Sequence, residues 1–571
     1  MKKFLEYLKP YTKESILGPI GKLCEATLEL IVPLVIASII DNGISKGDTT
    51  HTVSMVALLI LLGVLGLGFS VLAQYFSAKA AVGFVTSARH SLYSHIQTLS
   101  YSDLDRLGTS NMIALMTNDT SRVQSGINLA LRLLLRSPFV VFGSMIMAFT
   151  IDAEAGGVFA ITIPLLAIVI FGIMFITTPM HKRVQSGVDK ILKRTRANLS
   201  GVRVIRAFGN EERELEFFTK ENSVLTSEQK RTGRVSSLLN PLTYVIINLG
   251  VILLIYVGAI KVDTGTLTQG EVVALYNYTA QILVELIKLA NMIISISKAL
   301  ASWSRIASVF EIKSSQVFGE RVIGEGGECA IEFRGVSLKY AQSSDNSLEN
   351  LNFKVLRGQT VGIIGGTGSG KTSLANLIPR FYDATEGEIV LDGIPVSNYS
   401  KEALAIKIGV VPQKATLISG TVRENLLFGS ETTDDELWHA LAIAQADGFI
   451  AEKGGLDIKV EAGGENFSGG QRQRLTIARA LVRNPEILIL DDCASALDFA
   501  TDAALRSALK SASENTTTLI ISQRAASVMN ADNILVLDDG KIANTGTHDE
   551  LLQSSVIYRE IYESQFKGGS V

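Results

Sequence analysis

The sequence runs to 571 residues, of which 47% are hydrophobic and 19% charged, with a net charge of −3 and a mean hydropathy of +0.29. That length exceeds what one hydrophobic core spans, and the balance is too apolar for an ordinary soluble protein yet too charged for a purely membrane-embedded one. A membrane part joined to a soluble part resolves the conflict. The small net charge leaves no nucleic-acid footprint, and three scattered cysteines (Cys24, Cys329, Cys493) with no CxxC pair argue against a disulfide scaffold or a zinc site.

The first fifteen residues, MKKFLEYLKPYTKES, alternate charge with Phe4, Leu5, Tyr7 and Leu8. They lack the apolar centre of a signal peptide and read as a short amphipathic helix on the membrane surface. Apolar stretches follow at 15–44, 52–80, 125–150, 156–180, 238–262 and 270–300, each supplying the ~20 apolar residues a spanning helix needs. The connections 42–51, 151–156 and 261–269 are short and nearly free of Lys and Arg. Those at 81–124 and 181–237 are long, polar and helical in pattern, and the second carries roughly a dozen basic residues, Lys182, Arg183 and Lys190 among them. Basic segments stay on the cytoplasmic side, so the long connections and both termini are expected there. Residues 102–107 and 201–211 are placed to cap these helical extensions and to touch a soluble motor domain.

Composition shifts at 313–328, KSSQVFGERVIGEGGE, which reads as a polar, Gly-rich linker. Beyond it, strand-like runs (AIEFRGVSLKY, TVGIIG, EILILDD, TTLIIS, NILVLDD) alternate with helical patterns, as in an α/β domain. The expected organisation is an all-α transmembrane domain of six long helices at 1–312, the linker at 313–328, and an α/β domain at 329–571.

Within the α/β part, VGIIGGTGSGKTSLANLI is a strand, a Gly-rich loop and a helix start. Gly365, Gly370, Lys371 and Thr372 match G-x-x-x-x-G-K-[ST], with Gly366, Thr367, Gly368 and Ser369 between them. Such a loop wraps phosphates in backbone N–H groups, sets a lysine at the β- and γ-phosphates and offers a hydroxyl to Mg²⁺. The helix start adds its positive end. The apolar strand ending in Asp491 brings the carboxylate that a P-loop ATPase needs beside that cation.

At this point the sequence resembles the ATP-binding cassette (ABC) exporters over essentially its whole length. Ser468, Gly469, Gly470 and Gln471, preceded by Phe467 and followed by Arg472, Gln473 and Arg474, look like the family's signature loop. The segment 365–372 resembles the Walker A loop and 487–491 Walker B. Gln413 is similar to the Q-loop glutamine, Ser495, Ala496, Leu497 and Asp498 match the D-loop, and Tyr340 sits where the family stacks an aromatic ring on adenine. The resemblance implies ATP and Mg²⁺ as cofactors, with Thr372, Gln413 and Asp491 at the metal, Asp491 through water. It also implies a dimer in which each ATP touches Walker A of one chain and the signature loop of the other. Residues 102–107 and 201–211 lie where its coupling helices fall.

Two positions depart from the family. The residue after Asp491, usually the Glu that positions the attacking water, is Asp492. It is one methylene shorter, so its carboxylate falls roughly 1–1.5 Å short, and a misplacement near 1 Å costs about 100-fold in rate. The switch-loop histidine is replaced by Gln523, which donates a hydrogen bond but carries no charge. The expected site binds ATP and hydrolyses it poorly, while the signature loop is intact for the opposite site. That asymmetry favours a heterodimer whose partner brings Glu and His. A smaller departure is Ala462, where the family has an acidic residue.

The path across the membrane is less legible. Glu25 and Glu29 are an i, i+4 pair on the first span, and Arg132 and Arg136 on the third. Glu29 and Arg136 fall at similar depth, so they either face each other across a polar seam or sit in cytoplasmic extensions. Tyr276, Asn277, Tyr278, Gln281, Glu285 and Asn291 on the last span, with Asn240, Tyr244 and Asn248 on the fifth, line a cavity or act as polar glue. Asp41, Asp48, Asp152, Glu154 and Asp263 near the outer ends form a gate or are solvated charge. The leading expectation is ATP-driven export of small amphipathic compounds from the cell (inner or plasma) membrane. A lipid or peptide exporter, a homodimer, and an ATP-gated channel or regulatory subunit are the alternatives.

Overall fold

The computed structural model describes residues 2–324, 326–341, 343–494, 496–512 and 516–566. The chain divides into two compact units: residues 1–97 with 110–312, and residues 98–109 with 313–571.

The first unit is helical. Its elements are α1 (Lys2–Leu8), α2 (Thr12–Ser38) and α3 (Thr49–Thr98); then, after α4 (Tyr101–Leu107), α5 (Thr109–Ala114), α6 (Thr120–Leu133), α7 (Arg136–Ile151), α8 (Ala153–Ser200), α9 (Val202–Ala207), α10 (Glu211–Ser237), α11 (Leu239–Asp263) and α12 (Gln269–Glu311). Six helical spans among them are long and apolar enough to cross a membrane, and each of the six apolar stretches lies in one. The spans run to 42–53 residues, about twice what a bilayer requires, so the helices continue well beyond it. One turn each of π-helix, at Ile39–Ile44 and Leu115–Asp119, interrupts the regular winding.

Helix starts are set by local chemistry. Asp152 accepts from the backbone N–H groups of Glu154 and Ala155 at the head of α8. Thr268 and Glu271 form a capping box on α12, and Asp48 accepts from Thr50 and His51 at the head of α3. Asp41 accepts from Thr268 Oγ1 at 2.6 Å and from the Gly270 amide at 2.8 Å. Lys261 pairs with Asp152 at 2.6 Å and with Glu154 at 3.2 Å. Four of the five outer carboxylates are thus engaged in capping or pairing helices within this chain.

Helix α12 runs through the middle of the unit, packed on α2, α6, α7, α8 and α11. Its approach to α6 is so close that a Cβ on Gly126 would lie 2.2 Å from the Ala299 Cβ. Small residues admit such crossings where no hydrophobic force separates helix from lipid. Fully buried Tyr278 donates to the Leu30 carbonyl at 2.6 Å. On α1, Phe4 packs on Phe84 and Trp303 with ring centroids 4.8 and 5.3 Å apart, while Leu5 is exposed.

The second unit carries three sheets. The four-stranded one has the order β2 (Leu348–Leu356), β1 (Cys329–Leu338), β4 (Glu386–Leu391), β5 (Ile394–Pro395). The six-stranded one has the order β12 (Lys541–Gly546), β11 (Asn533–Asp538), β3 (Thr360–Gly365), β10 (Thr517–Ile521), β9 (Ile487–Asp491), β6 (Ile408–Val411). A short pair joins β7 (Gly420–Thr421) to β8 (Lys459–Val460). Strands β11, β3, β10, β9 and β6 are parallel, so their carboxyl ends line up along one edge, where α/β sheets bind ligands.

Helix α4 belongs to this unit. Ser100 and Asp103 cap it reciprocally, and Asp103 also accepts from the Ser315 amide at 2.9 Å. Tyr382 donates to Asp105 at 2.6 Å, and Tyr101 packs on Phe381 at 4.9 Å. The Gly-rich segment at 313–328 is partly strand-like, with Gly319 and Arg321 bonded to backbone carbonyls at 397–399.

Candidate functional site

Strand β3 delivers the loop at 365–370 to the carboxyl edge of the large sheet, and helix α13 (Lys371–Leu377) leaves from it. Two glycines are required by geometry. A Cβ on Gly365 would lie 2.2 Å from the Leu537 carbonyl oxygen. Gly370 has φ +95° and would set a Cβ 2.7 Å from the Ser347 carbonyl oxygen. Gly366 and Gly368 have open space around the Cβ position, so the outer face of the loop is bare backbone. Thr367 lies on that exposed face, and Ser369 is buried beneath it. Lys371 Nζ donates to the Gly365 and Gly366 carbonyls at 2.9 and 2.6 Å and to Ser369 Oγ at 3.3 Å.

The neighbouring strand ends in two acids. Thr372 Oγ1 donates to Asp491 at 3.3 Å, and Gln413 Nε2 donates to Asp492 at 3.4 Å. The chain leaves β9 through a left-handed residue: Asp492 has φ +46°, a backbone strain of about 1 kcal/mol or more that a non-glycine residue bears only when its surroundings impose it. Its amide donates to the Ile521 carbonyl at 2.8 Å, and the Gln523 backbone N–H reaches its carboxylate. Arg524 lies close enough to act on that carboxylate electrostatically. It also donates to the Ala494 carbonyl at 3.2 Å.

Burial pushes the Asp491 carboxyl above the usual carboxylate range, and the charge of Asp492 adds to this; Thr372 and Lys371 pull the other way. Burial likewise raises Asp492, against the Gln413 hydrogen bond and the nearby Arg524 and Lys371. Lys371 is depressed by burial, opposed by both acids. Two buried carboxyls whose charge is under-compensated, with a threonine hydroxyl between them and the loop, fit a hard divalent cation such as Mg²⁺. Among the described residues no group of three or more His, Cys, Asp or Glu side chains is placed to hold a metal ion by itself.

This has a pH consequence. Both carboxyls are raised in the folded state, so folding takes up protons. Their contribution is most favourable below the ordinary carboxylate range and is lost as pH rises through the raised values. Without nucleotide and with a chelator, the double variant Asp491→Asn, Asp492→Asn is expected to melt above the wild type at neutral and alkaline pH, with the gap closing as pH falls through the raised carboxylate values. Parallel thermal melts of the two proteins check this; a gap that stays constant with pH refutes it.

The remaining residues expected at the site lie around this cluster or apart from it. Tyr340 is half-buried, its hydroxyl 3.1 Å from Ser373 Oγ and its ring edge-on to Tyr382 at 5.1 Å. Ser468 caps the helix Gly469–Leu481, exchanging hydrogen bonds with Gln471. Gly470 closely approaches the Ala496 carbonyl. Asp498 caps the next helix through Thr501, which lowers its pKa. Ser495 lies outside the described residues. No hydrogen bond or ion pair joins Ser468, Gly469, Gly470 or Gln471 to the phosphate loop, and Ser468 and Gly469 are exposed. The Gln523 side chain is exposed, while its carbonyl accepts from Gln565 at 2.8 Å. Ala462 is exposed in a short turn with Gly463 at φ +71°. Sequence reasoning missed Arg524 and Tyr382. The first is adjacent to a flagged position, whereas nothing local marks the second.

In the helical unit, Arg136 donates to Glu29 at 2.6 Å and to Glu285 at 2.6 Å. Glu285 accepts also from Ser137 and Lys288, each at 2.8 Å. Glu25 pairs with Lys22 instead of an arginine on the third span.

A P-loop ATPase unit following six long apolar helices defines a membrane transporter driven by ATP. The comparisons agree: the ABC transporter transmembrane region matches residues 15–286 and the ABC transporter family matches residues 348–495. The chain belongs to the ABC transporter family, as a multi-pass half-transporter of the exporter type that binds ATP and couples its hydrolysis to transport. It is similar to the uncharacterized ABC transporter ATP-binding protein YfiB of Bacillus subtilis (strain 168), with 35% identity over 99% of both chains. It is 28% identical to the ATP-dependent lipid A-core flippase of Escherichia coli (strain K12), over 98% of this chain and 96% of that one. The fold matches the solved structure of a bacterial Atm1-family ABC exporter with ATP bound, with a TM-score of 0.78 over 99% of both chains at 22% identity.

Proposed function

We propose that the chain is one half of a heterodimeric exporter of small amphipathic compounds, in which its own ATP site holds nucleotide and hydrolyses it poorly. The carrying observation is the pair Asp492 and Gln523 beside an otherwise complete phosphate site, with Ser468, Gly469 and Gly470 intact and the first two exposed. In this reading the loop from Gly365 to Gly370, with Lys371, holds the phosphates and Tyr340 the adenine. Thr372, Asp491 and Gln413 hold Mg²⁺, which supplies charge neutralisation at the phosphates. The signature residues Ser468–Gln471 and Asp498 complete the partner's site. The basic segment 181–237 supports a cytoplasmic position for both termini and the ATPase unit.

Purified chain alone is expected to show low ATP turnover, and co-expression with a homologous half-transporter bearing Glu and His at the two positions to restore it, together with ATP-dependent dye accumulation in inverted vesicles. Full turnover by the chain alone overturns the heterodimer. Absence of nucleotide-driven dye movement by the active pair overturns export of such compounds. A lipid substrate is the second reading, favoured by the relationship to a lipid A-core flippase.

A further inference from the structure

A cleft of about 320 Å³ opens between α2 and α12. Its walls are apolar where Val32, Ile36 and Val284 face it, and charged where Glu29, Glu285 and Lys288 do. The charges form a ladder: Glu29 to Arg136, Arg136 to Glu285, Glu285 to Lys288. The two inner members, Arg136 and Glu285, are buried, with side chains 6% and 4% exposed. They neutralise each other. The two ends are open, with Glu29 41% and Lys288 44% exposed. Among the described residues, Glu29 uses only Oε2 toward Arg136, and Lys288 makes one hydrogen bond, to Glu285. One carboxylate oxygen and two ammonium N–H groups therefore remain to meet a ligand in the cleft.

A ligand with a single charge meets attraction at one end of this ladder and repulsion at the other. An uncharged apolar ligand shields the remaining Glu29 oxygen and Lys288 N–H groups from water without giving them hydrogen-bond partners, which is costly. A ligand with one cationic and one anionic group satisfies both, and the apolar wall takes a hydrocarbon chain. The volume is far above what a single water or bare ion needs. We infer that this cleft binds a zwitterionic amphiphile, its ammonium on Glu29, its anionic group on Lys288 and its chain along Val32, Ile36 and Val284. The inference rests on the reading of the chain as an exporter of amphipathic compounds, and it names the head-group chemistry.

The test uses the full-length chain with its co-purifying half-transporter in nanodiscs and three fluorescent probes that share one acyl chain. Lysophosphatidylethanolamine is the zwitterion, an acylcholine the cation and lysophosphatidic acid the anion. The zwitterion is expected to bind about tenfold tighter than either other probe, the worth of one partly buried charge contact. Glu29→Gln should shift preference to the anion and Lys288→Gln to the cation. A zwitterion bound no more tightly than the single-charge probes, or a preference order untouched by these substitutions, overturns the inference. ATP-driven movement of the same probes in vesicles judges export separately: movement without head-group preference sinks only the head-group assignment, and zwitterion-selective binding without movement sinks only export.

Discussion

The double variant Asp492→Glu, Gln523→His should hydrolyse ATP about 100-fold faster at this chain's own site than the wild type does, when the partner's catalytic Glu has been removed. In the proposed reading the shorter acid is handicapped because its position is fixed. Asp492 is held from three directions: by the Gln413 amide at 3.4 Å, the Gln523 backbone N–H and its own strained left-handed backbone. So held, it is expected not to shift far enough to make up the missing methylene. A glutamate there carries its carboxylate farther out on the same anchored backbone. The histidine adds a charged or proton-sharing donor where Gln523 has an exposed neutral amide. Turnover is read from phosphate release; no gain after both substitutions means that the attacking water is positioned by other groups. Single variants distinguish the two contributions, and residues acting on one water are expected to combine non-additively.

The substitution Arg136→Met should destabilise the helical unit by about 3–5 kcal/mol, because it leaves Glu285 buried and under-compensated and removes the link to Glu29. Lys288 and Ser137 still reach Glu285, which places the result toward the lower end of that range. Adding Glu285→Gln to Arg136→Met should recover much of the loss, since the neutral amide no longer needs a counter-charge. The two effects are strongly coupled because the side chains touch. Melting of the four proteins in the same detergent measures the cycle. An additive double variant, as destabilised as the sum of its singles, refutes the network.

The sequence made the locally encoded features plain. A spanning helix is written in ~20 consecutive apolar residues, and the phosphate loop in eight adjacent positions whose glycines have steric reasons visible at Gly365 and Gly370. The departures at Asp492 and Gln523 were equally legible, being single residues at fixed offsets. What stayed hidden depends on residues far apart in the chain. Glu285 is 149 residues from Arg136, and Tyr382 is 277 from Asp105; no periodicity relates either pair. The contacts of the outer carboxylates stayed hidden for a similar reason. Asp41 and Asp152 read as loop charge or gate, yet Asp41 accepts at the head of α12, over 200 positions on. The partners of Phe4 on α1, Phe84 and Trp303, lie on α3 and α12, so no local pattern announces that contact.

Helix α4 carries one more consequence, for the order in which the protein is made. Its twelve-residue segment belongs to the ATPase unit, but it is synthesised about two hundred residues before the rest of that unit, a delay on the order of 10–40 s at typical translation rates. Through that interval Asp103 and Asp105 have no Ser315 or Tyr382 to meet, and the helices that follow must be threaded into the bilayer first. The ATPase unit therefore cannot reach its final packing by folding domain by domain from one contiguous stretch. Its packing is complete only once the later-made part has met that earlier segment.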